Sequence, residues 1–490
     1  MERIRLRFTG LTAYAASLIT TLTGFVFTVV ITRRLSVEEL GTWRYIGTVI
    51  NYFAIPVMLL GYWATRLTAS GERVLRTFVA MSVGISVLAA TAFASMAGVL
   101  SAPTGASPEV FVVAALEIPS IYLYTALESV AHARRPHVNY YAQLVQEFLK
   151  IPLAVALVVL LRLGLTGAIL ATVAAFTARA LAMLYMLRDM EWGTLSGRVA
   201  KRMVSAIWLP AYQVGAGSLL ALDSVIVMLL SGPEPVGYAT AVYLLGSLIT
   251  MSGTLAVGLY PKMLQESSGR DVESAIGLVY MIAVPTAVGV VILGAPMLNV
   301  LRPEYPEAAV VLPVVAVGGI LSLLSGMMDS VIAGRERVDF SGEPSFRELV
   351  SSRLFLLPTL YYLQALVYKL SLFAALTAVR PNGPVEVLTV WVSVNLMTFA
   401  PFVVYKVWVA RRMLPFGAPV SALSSYAAAA AVMGVVVYLL RPRELPSEVA
   451  PALMTLMPPV ITGAAIYFSV LATINRDFRA LVRAVMEALT

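Results

Sequence analysis

The sequence predicts an all-α polytopic membrane protein with about 14 transmembrane helices, arranged as two pseudo-symmetric six-helix bundles followed by an extra helix pair. Three observations lead there: an apolar composition, a succession of apolar runs long enough to cross hydrocarbon, and an internal repeat at constant offset.

The 490 residues are 59% hydrophobic and 13% charged, with mean hydropathy +0.84. A soluble domain carries about 25% charged residues. The net charge of +8 raises the question of nucleic acid. Basic residues confined to the loops of one side are, however, a signature of membrane topology, so no nucleic-acid partner is expected. Cysteine is absent and there are only two histidines, His132 and His137. That excludes disulfides, thiolate nucleophiles and cysteine or histidine metal clusters, so no catalytic residue, metal or cofactor is expected.

Apolar runs between charged or Pro/Gly-rich breaks place spans at 8–32, 42–65, 77–100, 109–131, 140–161, 163–187, 204–230, 236–260, 273–295, 307–333, 354–379, 385–409, 417–440 and 451–474. The first follows Arg3, Arg5 and Arg7 without a small-residue cleavage site and reads as an uncleaved span. With the amino terminus in the cytoplasm, roughly 24 of the 35 basic residues fall on cytoplasmic loops, among them Arg66, Arg134, Arg135, Lys262 and Lys406. About seven fall on the other side, including Arg33, Arg34 and Arg380. Both termini are therefore expected to be cytoplasmic in a multi-pass protein of the cell membrane. The connections 188–203 and 334–353 are too short to fold as domains.

The segment Ile31–Ile50 aligns without a gap on Val227–Gly246, an offset of 196 residues that pairs Glu38 with Glu234, Gly41 with Gly237 and Arg66 with Lys262. Spans 1 and 2 thus map onto spans 7 and 8. The implied organisation is an amino-terminal lobe 1–187, a cytoplasmic linker 188–203, a second lobe 204–409, and an extra helix pair with cytoplasmic tail at 410–490. Because six spans is an even number, the halves share orientation, and a substrate site between them follows.

Arg34-Leu35-Ser36-Val37-Glu38-Glu39-Leu40-Gly41 is similar to an A-R-L-L-G-P-x-x-Y/F-G signature. Asp223 with Gly232-Pro233-Glu234-Pro235-Val236-Gly237-Tyr238 is similar to a span-7 aspartate followed by G-P-x-x-x-G-x-Y. On these motifs the chain resembles the multidrug/oligosaccharidyl-lipid/polysaccharide (MOP) exporter superfamily, in particular its polysaccharide flippase (Wzx-like) branch. Thr32, Ser36 and Leu40 depart from the signature's Ala, Leu and aromatic. The likeness covers spans 1 to 12, and the two further spans resemble fourteen-helix members such as the lipid II flippase and archaeal proteins. The resemblance implies a MATE-like, V-shaped pair of bundles around a central cavity that opens alternately to each face. It also implies a cargo of undecaprenyl- or dolichyl-linked (pyro)phosphate oligosaccharide.

Ionisable groups in hydrocarbon cost about 2.5 to 3.5 kcal/mol on insertion scales, so each must face protein or a wet cavity. Span 2 carries Arg44, Thr48 and Asn51 on one face; span 5 carries Gln143, Glu147 and Lys150; span 6 carries Arg179; span 11 carries Tyr362 and Lys369. Arg44, Asn51, Lys150, Arg179, Tyr362 and Lys369 are the candidate substrate-binding residues, the cations matched to phosphate and the tyrosine to sugar rings. The bland readings stand beside these: Lys150 paired with Glu147 at i,i+3, Arg44 snorkelling to headgroups, and the tyrosines packing. Asp223 and Glu147 are candidates for coupling to H+ or Na+; an ion pair is the default reading for Asp223, and the stripe Glu117, Ser120, Tyr124 and Glu128 marks span 4.

The expected partners are a lipid-linked oligosaccharide, membrane lipids and a coupling ion. Two other functions compete. A cation-coupled multidrug antiporter of the same superfamily ranks second, since span 1 carries no acidic residue and the embedded cations favour an anionic cargo. A polytopic glycosyltransferase would need acidic residues on a substantial loop, and Glu38-Glu39 in a short connection is the sole candidate. An enzyme is not expected. Downhill scrambling is left open.

Overall fold

The computed structural model describes residues 20, 23–69, 71–205, 207–256, 259–260, 263, 268–335, 352–446, 448–476, 478–480 and 482–483. Most of the first predicted span, Lys262 of the repeat alignment and most of the connection 334–353 lie outside them.

Regular structure among the described residues is helical throughout. Twelve helices are long and apolar enough to cross a membrane, and a bent pair makes a thirteenth. In chain order the helices are α1 (Thr23–Thr32), α2 (Val37–Phe53), α3 (Ile55–Ala69), α4 (Leu75–Ser95), α5 (Ala97–Ser101), α6 (Pro108–Ala114), α7 (Glu117–Arg134), α8 (Pro136–Ala154) and α9 (Gly164–Met186). They continue as α10 (Gly197–Ser205), α11 (Trp208–Leu220), α12 (Asp223–Ser231), α13 (Pro233–Thr250), α14 (Gly269–Leu301), α15 (Leu312–Gly334), α16 (Arg353–Val379), α17 (Pro384–Met413), α18 (Val420–Leu440) and α19 (Val449–Ile474). The predicted spans from 42–65 onward each coincide with one of these helices or with a broken pair of them.

Three of the irregularities follow proline. Pro56 cannot donate to Tyr52, so α2 ends at Phe53 and α3 departs at 50°. Pro119 leaves the Ala115 carbonyl without its helical donor, and α6 gives way to α7 across Ala115 and Leu116. After Pro152, α8 widens into a π turn over Val155–Leu160. The buried Tyr122 hydroxyl donates to the Phe53 carbonyl at 2.7 Å and holds the last residue of α2 at its bend. At the start of α2, Ser36 and Glu39 form a capping box: the Ser36 hydroxyl accepts the Glu39 N–H at 3.1 Å, and the Glu39 carboxylate accepts the Ser36 N–H at 2.8 Å.

Packing gathers the chain into two compact units, Leu22–Thr240 and a second made of Ala241–Thr490 with Met1–Thr21. α11 and α12 belong to the first unit because they pack on α3 and α2. In the first unit α7 is the central helix, packed on α3, α4 and α9, and α8 lies along α9. In the second, α14 packs on α15 and α18, and α17 on α15 and α16; Tyr467 of α19 donates to the Met281 carbonyl at 2.7 Å, tying the extra pair to α14.

The two repeat-related glycines meet within the first unit. A Cβ on Gly41 would lie 2.0 Å from the Pro233 carbonyl oxygen, and one on Gly237 would lie 2.3 Å from that of Val37. Each glycine therefore lets α2 or α13 sit directly on the backbone of the other four residues earlier, the close approach of a small-xxx-small crossing. The carboxyl groups of Glu38 and Glu234, paired in the same alignment, are hydrogen-bonded to each other.

Candidate functional site

The polar interior of the first unit is built on three adjoining helices. Arg179 of α9, 9% exposed, reaches into the bundle and is met on three sides. Its guanidinium donates to Glu128 of α7 at 3.0 Å and to Gln146 of α8 at 3.1 Å, and it lies 4.4 Å from the centroid of the Tyr124 ring. One turn below Tyr124, the hydroxyls of Ser120 and Thr177 are hydrogen-bonded at 2.8 Å. The stripe read on span 4 is thus a real face of α7 turned onto α9.

Glu128 also faces a cavity of about 340 Å³ formed by α3, α7 and α11, with Tyr62, Thr65, Thr125, His132 and Gln213 among its polar walls. Gly61 makes the cavity's α3–α7 wall tight, since a Cβ there would fall 2.5 Å from the Ser129 hydroxyl. His132 is fixed by Asn139 of α8 at 2.7 Å, and the Arg66 guanidinium covers the Tyr62 ring at 5.4 Å. The polar lining of this chamber is one carboxylate, one imidazole, one amide and several hydroxyls, with a neutralised arginine behind it. It suits hydrogen bonding to a polar, hydroxyl-rich group.

The predicted residues fall into separate groups. Glu147, next to Gln146 on α8, turns to a different neighbour: it pairs with Lys150 at 2.7 Å and accepts the Thr23 hydroxyl of α1 at 2.9 Å. Lys150 also lies 5.1 Å from the Phe27 ring centroid. Thr48 of the α2 face shared by Arg44 and Asn51, both exposed, is met by the Ser224 hydroxyl at 3.4 Å. Asp223 stands beside it at the break between α11 and α12, where its carboxylate accepts the Ser224 N–H at 2.9 Å. A discontinuous helix is a recognised setting for substrate and ion sites in transporters.

In the second unit the Lys369 ammonium lies 3.9 Å from the centroid of the Tyr368 ring, and the Tyr368 hydroxyl accepts the Trp391 indole N–H at 2.8 Å. Tyr362 is half-buried on the same helix.

Sequence reasoning misplaced one cation. Lys406, read as a cytoplasmic loop residue, is fully buried in α17, which runs on to Met413 and leaves Arg411 and Arg412 in its last turn. Its ammonium is 2.9 Å from one Asp329 oxygen of α15 and 3.0 Å from the other, donates to Ser325 at 3.0 Å, and sits 4.0 Å from the Tyr361 ring centroid. Tyr361 in turn donates to Asp329. The available signal was distance: Lys406 stands nearly two turns before the Arg411-Arg412 pair, too deep to reach the interface without help.

No model of a known protein family matches the sequence, and no curated protein matches it. Its fold is shared with solved transporters of the MOP superfamily. The lipid II flippase MurJ in its inward closed conformation is similar with TM-score 0.65 at 11% identity, over 95% of this chain and 99% of that one. An inward-facing multidrug resistance MATE family transporter is similar with TM-score 0.60 at 14% identity, over 83% of this chain and 99% of that one. A MOP superfamily transporter from Pyrococcus furiosus Vc1 (DSM3638), described as having a binding pocket of reverse polarity, gives TM-score 0.52 at 15% identity, over 83% and 97%. The chain therefore has the fold of these transporters.

Proposed function

We propose that the chain is a flippase that moves a polyprenyl- or dolichyl-(pyro)phosphate-linked oligosaccharide across the cytoplasmic membrane by alternating access. One observation carries the choice. The match to the lipid II flippase takes in 95% of the chain, whereas the MATE matches stop at 83%, leaving a share the size of the segment 410–490 that holds α18 and α19. In this reading the chamber on Glu128 and Tyr62 receives the hydroxyl-rich headgroup, Arg44 and Lys369 compensate phosphate, and Arg179 positions the chamber's carboxylate. Asp223, at its helix break, and Glu147 are the coupling-ion candidates. The tail stays in lipid.

The test is a reconstituted flip assay with a fluorescent polyprenyl diphosphate disaccharide in proteoliposomes, read by dithionite quenching of the outer leaflet. Protein-dependent loss of protected fluorescence is expected; rates equal to empty liposomes would sink the proposal.

A second reading, a cation-coupled multidrug antiporter, is favoured by the match to a multidrug resistance MATE family transporter with TM-score 0.60. Gradient-driven uptake of ethidium by the same proteoliposomes would support it.

A further inference from the structure

The second unit holds another cavity, of about 260 Å³, among α13, α15 and α17, and no charged residue lines it. Gly318 of α15 leaves open space, a Cβ there meeting nothing within 4 Å, while Gly246 against Val315 and Gly319 against Ile249 and Thr250 let α13 and α15 close together beside it. Within a largely apolar lining the cavity offers aromatic and hydrogen-bonding groups: Tyr243, Ser247 and Thr250 from α13, Ser322 from α15, and Asn395 and Phe399 from α17.

Ser247 and Thr250 direct their hydroxyl protons to helix carbonyls, at 2.6 and 3.3 Å, leaving oxygens that accept. Ser322 and the Asn395 amide differ. Among the described residues neither side chain makes a hydrogen bond, although both lie on membrane-crossing helices and line the cavity. An amide carries two donors and two acceptor sites, and with Ser322 exposed and Asn395 part-exposed these groups are open to a ligand in the cavity.

The wall behind these groups is stiff. Tyr243 meets Trp391 edge to face at 6.1 Å, and Trp391 donates to Tyr368, so the aromatic face presented to the cavity is held from the rear. Aromatic faces beside amide and hydroxyl groups, with no charge, match a pyranose: its C–H face packs on the ring and its hydroxyls exchange hydrogen bonds with Asn395 and Ser322. A phosphate or an ammonium ion would find no counter-charge. The volume lies below the roughly 300–1,000 Å³ of pockets for drug-sized ligands, which limits the occupant to a single ring.

We propose that this cavity is a subsite for one uncharged sugar ring of the cargo headgroup, an inference that rests on the lipid-linked oligosaccharide reading above. It adds a single-ring subsite to the headgroup chamber proposed above and takes no part in charge compensation.

The experiment measures binding to the purified full chain in nanodiscs with three probes: a short-chain polyprenyl diphosphate bearing one glucose, the same diphosphate without sugar, and free cellobiose. Asn395→Ala, and separately the smaller change Ser322→Ala, are compared with the unaltered protein after equal thermal stability is verified. Asn395→Ala should weaken the sugar-bearing probe about fivefold to tenfold and leave the sugar-free probe unchanged, with Ser322→Ala acting in the same direction. Equal losses for both diphosphates, or no loss for either, would overturn the subsite. If neither diphosphate binds the unaltered protein, the flippase reading fails on its own. The subsite then stands if cellobiose binding depends on Asn395, and falls if it does not. Tighter binding of a dodecyl chain by Asn395→Leu without any sugar effect would assign the cavity to lipid and also overturn the proposal.

Discussion

Gly41 and Gly237 pack reciprocally: each lies against the backbone of the residue four positions before the other, Pro233 and Val37 respectively. The contact has no room for a methyl group on either side. Gly41→Ala and Gly237→Ala should each force α2 and α13 apart and lower stability by about 1–3 kcal/mol, read by thermal unfolding in detergent. Gly47→Ala on the same helix α2, where a Cβ meets nothing within 4 Å, should be neutral or mildly stabilising. Equal behaviour of Gly41→Ala and Gly47→Ala would show that the crossing has slack.

Removing one member of the Lys406–Asp329 pair strands its partner in the interior of the second unit. Lys406→Met is expected to destabilise by about 3–5 kcal/mol, and Lys406→Met with Asp329→Leu to recover much of that loss. Denaturation monitored for the single and double variants gives the coupling; strict additivity would mean the ion pair is not the reason for the loss.

Arg179 is predicted to matter through Glu128. In the flip assay Arg179→Ala and Glu128→Gln should each fall below roughly a tenth of the normal rate, equivalent to about 1.4 kcal/mol, with membrane insertion unchanged. Retained flipping in both variants would remove the α3–α7–α11 chamber from the transport path.

Lys369 lies on the Tyr368 ring, whereas Lys406 meets both the Tyr361 ring and the Asp329 carboxylate. Lys369→Ala should reduce transport of a diphosphate-linked cargo, and Lys369→Arg should restore most of it because the positive charge and the ring contact both persist. A Lys369→Arg protein as inactive as Lys369→Ala would argue that ring packing alone, not charge, is at stake.

Coupling has its own signature. With Asp223→Asn or Glu147→Gln, flipping should continue downhill but lose its response to an imposed H+ or Na+ gradient. If the response survives both substitutions, these carboxylates serve structure only.

Most of the architecture could be read from hydropathy because a span is a local property: about 20 apolar residues between polar breaks, with proline marking the bends at Pro56 and Pro119. Repeat alignment reached further, pairing Gly41 with Gly237 before their contact was seen. The site was legible only in part. Glu147 and Lys150 are i,i+3 neighbours, so their pairing is written in sequence spacing. Arg179 and Glu128 are 51 residues apart, and Lys406 and Asp329 are 77 apart; nothing local announces either partnership. The cavity beside Asn395 was invisible for another reason, since it depends on which side chains of α13, α15 and α17 lie opposite one another.

The reciprocal glycine contact has a consequence for how such a chain tolerates change. Two copies of one motif touching through the same surface reproduce, within a single polypeptide, the self-complementary seam of a two-fold dimer. In a true dimer any substitution strikes both sides together. Here the two sides sit at separate positions of one chain, so either can vary alone, but only as far as the other's backbone allows.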